Sequence, residues 1–158
     1  MQLTRYTDYA LRVLIYLAHE DDGLATIGEI AHAYEVSENH LMKVVHGLGK
    51  LGYVTTVRGK GGGMKLARPP SEINLGDVVR NTEETLHVVE CLAADYDNAC
   101  RITSSCRLKG VLKDAHVAFF RHLDQFSIAD LIPPKRGAVA PIRFHPRPGV
   151  KSKSRTAA

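Results

Sequence analysis

The feature that most constrains this chain is a change of hydrophobic period at Gly52. Before it, Leu41, Val44, Val45, Leu48 and Leu51 recur at helical spacing behind Ser37, a residue type that caps helix starts, and Gly52 is a residue type that stops them. After it, residues 53–58 are rich in β-branched side chains, 59–63 form a glycine-rich turn, and 64–68 can return as a second strand. Upstream, Thr26 followed three residues later by Glu29 is a capping box that starts a short helix over about residues 27–34. Two short helices joined by a tight turn and followed by a hairpin predict a winged helix-turn-helix.

The flanking segments extend that reading. Tyr6, Ala10, Val13, Leu14, Leu17 and Ala18 mark a first amphipathic helix with Thr4 or Thr7 at its N-cap. Pro69 and Pro70 end the wing, and Asn74 with Asp77 opens another short helix through about Arg80. Residues 81–105 read as a short helical piece followed by a loop. Leu108, Val111, Leu112, Ala115, Phe119 and Leu123 then form one stripe on a long helix over about residues 106–123, which can project from the body and pair with a second copy. Ser127 and Asp130 cap a last turn. The expected fold is mainly α, a winged helix-turn-helix with a two-stranded β wing and a long C-terminal dimerisation helix. Residues 1–70 are the expected DNA-binding region, 71–132 a cysteine-bearing loop and dimerisation helix, and 133–158 a basic, proline-rich, disordered tail.

Charge is unevenly placed along the 158 residues. The tail from residue 133 onward has seven Lys or Arg and no acid, whereas residues 1–132 have 14 basic and 17 acidic side chains, a net charge of −3. Within that body, residues 37–68 stand at +5 and the segments on either side at −4 each. A basic segment between acidic ones is the footprint of a surface that meets phosphates. The longest apolar run, residues 13–18, is too short to span a bilayer, and no signal-peptide layout is visible, so a cytoplasmic protein without a membrane partner is expected.

The polar side of the third helix presents Asn39, Met42, Lys43, His46 and Lys50, with Ser37 and His40 near its start. These side chains can hydrogen-bond base edges or phosphates. A polar outer face is also ordinary on a surface helix, and the wing is what favours a nucleic-acid reading. Its tip reads RGKGGG at residues 58–63, where Gly61 and Gly62 allow close backbone approach while Arg58 and Lys60 reach phosphates or a narrow minor groove. A nucleotide-binding loop does not fit, because a helix would have to follow the glycines and a strand does. No catalytic motif is recognisable, so the chain is not expected to be an enzyme.

Cys91, Cys100 and Cys106 lie within 16 residues of a polar loop. Buried free cysteines usually act as small apolar residues, a role that suits this loop poorly. Cys106 at a helix start would have its thiolate favoured by unpaired amides, which suits metal ligation. Three thiolates leave one ligand missing for tetrahedral zinc or an iron-sulfur cluster, and His87, Asp95, Asp97 and Asp8 are the candidates, Asp8 arriving from elsewhere in a dimer.

Five stretches, MQLTRYTDYALRVLIYLA, VSENHLMKVVHGLGKLGYV, RGKGGGMKLARP, INLGDVVR and CRITSSCRLKGVLKDA, resemble the winged-helix transcription regulators that carry iron-sulfur clusters. That family includes nitric-oxide-sensitive repressors and regulators of cluster assembly. The resemblance spans nearly the whole body and implies a homodimer on a palindromic promoter site of double-stranded DNA. It also implies one cluster per subunit, 2Fe-2S in the first place and 4Fe-4S as the alternative, held by Cys91, Cys100 and Cys106. The fourth, non-cysteine ligand proposed for the family comes from near the partner's N-terminus, where Asp8 matches. Nitric oxide is the implied signal. The basic tail is not part of the family pattern; beyond a solvated extension, its charge can add nonspecific attraction to DNA.

Overall fold

The computed structural model describes residues 2–20, 23–97, 100–102 and 105–132. Among them are five α-helices and one two-stranded antiparallel sheet. Helix α1 (Arg5–His19) starts at Thr4, whose hydroxyl accepts the Thr7 amide at 3.2 Å, so Thr4 rather than Thr7 is the cap. Helix α2 (Ile27–Tyr34) has the expected capping box: the Thr26 hydroxyl accepts the Glu29 amide, and the Glu29 carboxylate accepts the Thr26 amide at 2.6 Å. The bond from the Thr26 amide holds the Glu29 carboxyl below its ordinary pKa.

Helix α3 (Glu38–Lys50) departs from expectation at both ends. Ser37 stands at the N-cap, but its hydroxyl makes no cap hydrogen bond. Leu51, expected in the apolar stripe, is the C-cap and 39% exposed, because the chain has already begun to leave the helix there. Gly52 then takes a left-handed φ of 74°, which lets the Tyr53 amide return to the Leu48 carbonyl at 2.9 Å and close the helix end.

Strands β1 (Val54–Val57) and β2 (Gly63–Leu66) form the wing with Val54 opposite Leu66 and Val57 opposite Gly63, slightly shorter than the β-branched run implied. Ala25, just before α2, adds a single bridge to Met64, with N–H to O distances of 2.7 and 3.0 Å. Helix α4 (Leu75–Thr82) opens on Asn74, which accepts the Asp77 amide, and runs two residues past Arg80. Helix α5 (Arg107–Leu123) follows the cysteine segment, with Cys106 at its N-cap. A 3-10 turn (Ile128–Leu131), with Ser127 and Asp130 forming its capping box, returns to the body, where the Ile128 amide donates to the Ile73 carbonyl at 2.9 Å.

One core gathers α1, α2, α3, the wing, α4 and the last turn. Val13, Leu14, Ile30, Leu41, Leu48, Ile73, Val78 and Ile128 are fully shielded, each contributing roughly 1.5–3 kcal/mol of burial. Helix α5 is outside that core. Phe120 is its buried residue, while Leu108 and Val111 are 60% and 63% exposed. Its C-terminal end is held to α4 by Arg80, whose guanidinium meets both Asp124 carboxylate oxygens at 2.7 Å and lies 4.6 Å from the Phe120 ring centre. That fork-to-fork hydrogen bond raises the Arg80 pKa and lowers that of Asp124. Gly76 sits beside it, where a Cβ would push the Asp124 carboxylate out of its present place.

Among the described residues no helix is long and apolar enough to cross a membrane. The expected disordered tail, residues 133–158, lies outside them.

Candidate functional site

Two surfaces have chemistry to offer. The first is the outer side of α3 with the wing. Leu41, Val44, Val45 and Leu48 turn inward, which leaves Ser37, Asn39, His40, Met42, Lys43, His46 and Lys50 in solvent. The wing tip is built by two left-handed glycines, Gly59 at φ 108° and Gly61 at φ 77°. Arg58, Lys60 and Gly61 are exposed, and Gly62 is half-buried, where a Cβ would strike the Val57 carbonyl. The predicted contact residues therefore form one accessible tract of amide, imidazole, ammonium and guanidinium donors. At the wing's base Arg68 lies 4.9 Å from the Tyr53 ring centre, and Asn81 donates to the Tyr53 hydroxyl at 2.9 Å, which braces the hairpin against α4.

The packing behind α3 includes a contact that periodicity does not show. A Cβ on Gly47 would collide with the Tyr6 hydroxyl, so the Tyr6 side chain occupies space between α1 and α3 that a residue with a side chain at 47 would take. The available signal was a glycine in mid-helix, where it is costly unless packing requires it.

The second surface is the cysteine segment. Cys91 lies in a 3-10 turn (Glu90–Leu92), Cys100 is exposed, and Cys106 caps α5 without a side-chain cap hydrogen bond. Tyr96 organises part of this segment: its hydroxyl accepts the Cys100 amide at 2.7 Å, and Lys109 of α5 sits 5.7 Å from its ring centre. Asn98, Thr103 and Ser104 of the predicted loop lie outside the described residues.

Soft thiols at three positions suit an iron-sulfur cluster. Among the described residues, however, no three His, Cys, Asp or Glu side chains converge as a metal site, so the donors fit in kind and are not gathered. Ligands commonly assemble only when the metal binds. Asp8 is in the first turn of α1, where Arg12 holds its carboxylate through contacts of 3.0 and 3.1 Å. Arg12 in turn lies 5.7 Å from the Tyr34 ring centre and its carbonyl accepts the Tyr34 hydroxyl at 3.0 Å. Burial pushes the Tyr34 phenol up to about 12.

Comparison with known proteins bears on both surfaces. Residues 3–134 match the model of the Rrf2 family, described as an iron-dependent transcriptional regulator. The HTH-type transcriptional regulator NsrR of Bacillus subtilis is 51% identical over 133 residues, covering 84% of this chain and 90% of that protein. Among solved structures, CymR, the global cysteine regulator of B. subtilis, superposes with a TM-score of 0.67 at 26% identity, covering 83% of this chain and 95% of that one. IscR of T. potens does so with a TM-score of 0.66 at 27% identity, covering 83% and 85%. These relatives are transcriptional regulators, and DNA binding follows from that role. Matched along both α3 with the wing and the cysteine segment, the chain belongs to the Rrf2 family of iron-dependent transcriptional regulators.

Proposed function

We propose that this regulator is a nitric-oxide-sensitive repressor that occupies a palindromic promoter site as a cytoplasmic homodimer. Residues 1–70 read DNA in this account, and residues 71–132 hold an iron-sulfur cluster and pair the subunits. The supporting observation is the position of Cys106, at the N-cap of the helix whose Leu108 and Val111 are uncovered. A segment that rearranges around its thiols therefore acts directly on the apolar face suited to a second copy.

Asn39, Lys43, His46 and Lys50 enter the major groove in this reading, with Ser37 and His40 at the helix start. Arg58, Lys60, Gly61 and Gly62 lie along the backbone or in the neighbouring minor groove. Two such surfaces must meet half-sites roughly 34–36 Å apart, a distance governed by how the α5 helices pair. Cys91, Cys100 and Cys106 are the thiolate ligands, and Asp8 from the partner protomer the fourth. As a hard oxygen donor beside sulfur, Asp8 is the weakest of the four, and it must leave Arg12 to serve. When bound, a 2Fe-2S or 4Fe-4S cluster supplies iron that reacts with nitric oxide, and its loss is the signal to leave the promoter.

The test is anaerobic purification, visible absorbance with iron and sulfide analysis, and a gel shift on promoter DNA before and after a nitric oxide donor. Coloured protein that binds and is released by the donor is expected. Cys100→Ala should be colourless, with iron affinity reduced beyond the roughly 10–100-fold that loss of an outer-shell partner costs, and with weakened promoter binding. Colourless wild-type protein that binds equally well with and without the donor overturns the proposal. A second reading, a thiol or zinc redox switch or a regulator of cluster assembly, is favoured by the exposure of Cys100 and the ungathered donors. Zinc without sulfide selects the former.

A further inference from the structure

We propose that a pocket between the first turns of α1 and the recognition helix α3 holds a phosphate of the DNA backbone, adding Arg5 and Tyr9 to the DNA contacts. The inference rests on the reading of α3 as the helix that enters the groove. The pocket encloses about 230 Å³ and is lined by Arg5, Tyr6 and Tyr9 from α1 and by His40, Lys43 and Val44 from α3. His40 and Lys43 also belong to the exposed tract of α3, so the pocket opens on the DNA-facing side.

Its charge is uncompensated. Arg5 and Lys43 are exposed and form no ion pair among the described residues. Two nearby acids are engaged elsewhere, Asp8 with Arg12 at 3.0 Å and Glu83 with the Thr4 amide at 2.7 Å. Two cations that converge without a carboxylate repel one another, and an anion between them removes the repulsion. The walls are apolar, formed by the half-buried Tyr6 and Tyr9 and by buried Val44, which strengthens a charge interaction relative to open water. Their chemistry also fits the ligand. Arg and Lys supply charge-assisted donors, a phenol hydroxyl donates one more bond to a phosphate oxygen, and half to two-thirds of protein–DNA hydrogen bonds go to phosphate and sugar. Such a contact fixes the depth and register of α3 and carries no sequence information of its own.

Arg5→Ala, Arg5→Lys and Tyr9→Phe, made in the full chain, are compared with wild type by fluorescence anisotropy on a duplex recovered by in-vitro selection and on an unrelated duplex of equal length. Arg5→Ala should weaken binding to both duplexes by the same factor and lower the slope of log affinity against log salt by about 0.9. Arg5→Lys should restore the slope, and Tyr9→Phe should weaken binding without changing it. A duplex with one neutral methylphosphonate at the contacted position should bind wild type and Arg5→Ala equally. Unchanged slope and affinity for Arg5→Ala, or a loss confined to the selected duplex, overturns the inference. Asn39→Ala and His46→Ala, outside the pocket, test the underlying reading separately: if both keep full discrimination between the two duplexes, α3 is not the reading helix. Thermal unfolding midpoints equal to wild type confirm that each variant is folded.

Discussion

Helices α3 and α5 are both amphipathic, yet they stand in opposite relation to the core. In α3 every inward apolar residue from Leu41 to Leu48 is shielded, and its polar side is left to solvent. In α5 Phe120 is buried, while Leu108, Val111 and Val117 remain exposed and the preceding thiols are scattered. The difference separates a finished part from an unfinished one. In the proposed function α3 reads DNA, and its geometry is set within one chain. In the proposed function the segment before α5 senses, which requires a second arrangement, and a metal or a second subunit would complete its contacts.

The comparison can be broken most sharply at paired leucines. Leu48→Ala should lower unfolding free energy by about 2–5 kcal/mol in urea denaturation, whereas Leu108→Ala should change the monomer by no more than about 0.5 kcal/mol and show its effect in sedimentation as weaker self-association. Equal losses of stability would mean that α5 is as much a part of the core as α3. A smaller effect is expected at the capping box, where Thr26→Ala should cost about 1 kcal/mol without altering the salt dependence of DNA binding. The smallest concerns the latch that joins the regions. Asp124 has a depressed folded-state pKa, so its pairing with Arg80 stabilises fully above the ordinary carboxylate value of roughly 4 and is lost as pH falls through the folded value. Both groups are partly exposed, which keeps the effect modest. Arg80→Ala should flatten the acid limb of a stability–pH curve below about pH 4 and leave its slope near neutrality unchanged; a steeper acid limb would contradict the assignment.

Local grammar was readable in the residues. The Thr26 and Glu29 pair located α2, the Ser127 and Asp130 pair located the last turn, and the apolar stripe from Leu108 marked α5, because capping and periodicity act within a few residues of their cause. The failures were of two kinds. Ser37 stands at the N-cap as expected, but its hydroxyl makes no cap hydrogen bond, since backbone position does not oblige a side chain to bond. The Arg80 clasp on Asp124, 44 residues away, the Tyr6 contact with Gly47, and the bridge from Ala25 to Met64 join distant segments through single residues, which leave no repeat to detect. For the candidate site, the exposure of the predicted polar residues of α3 and of Arg58 and Lys60 was legible from periodicity and turn position. The pocket behind them was not, because Arg5 and Tyr9 become its neighbours only when α1 lies across α3.

The small bridge between Ala25 and Met64 has a mechanical consequence. It ties the lead-in of α2 to the returning strand of the wing, and Tyr53 ties the other strand to the end of α3. Hairpin, α2 and α3 are thereby joined into one head. A tilt imposed on either is passed to the other through these hydrogen bonds, so in the proposed function the wing and α3 leave a promoter together. In the proposed dimer, release would then move whole heads relative to each other at the joint between subunits.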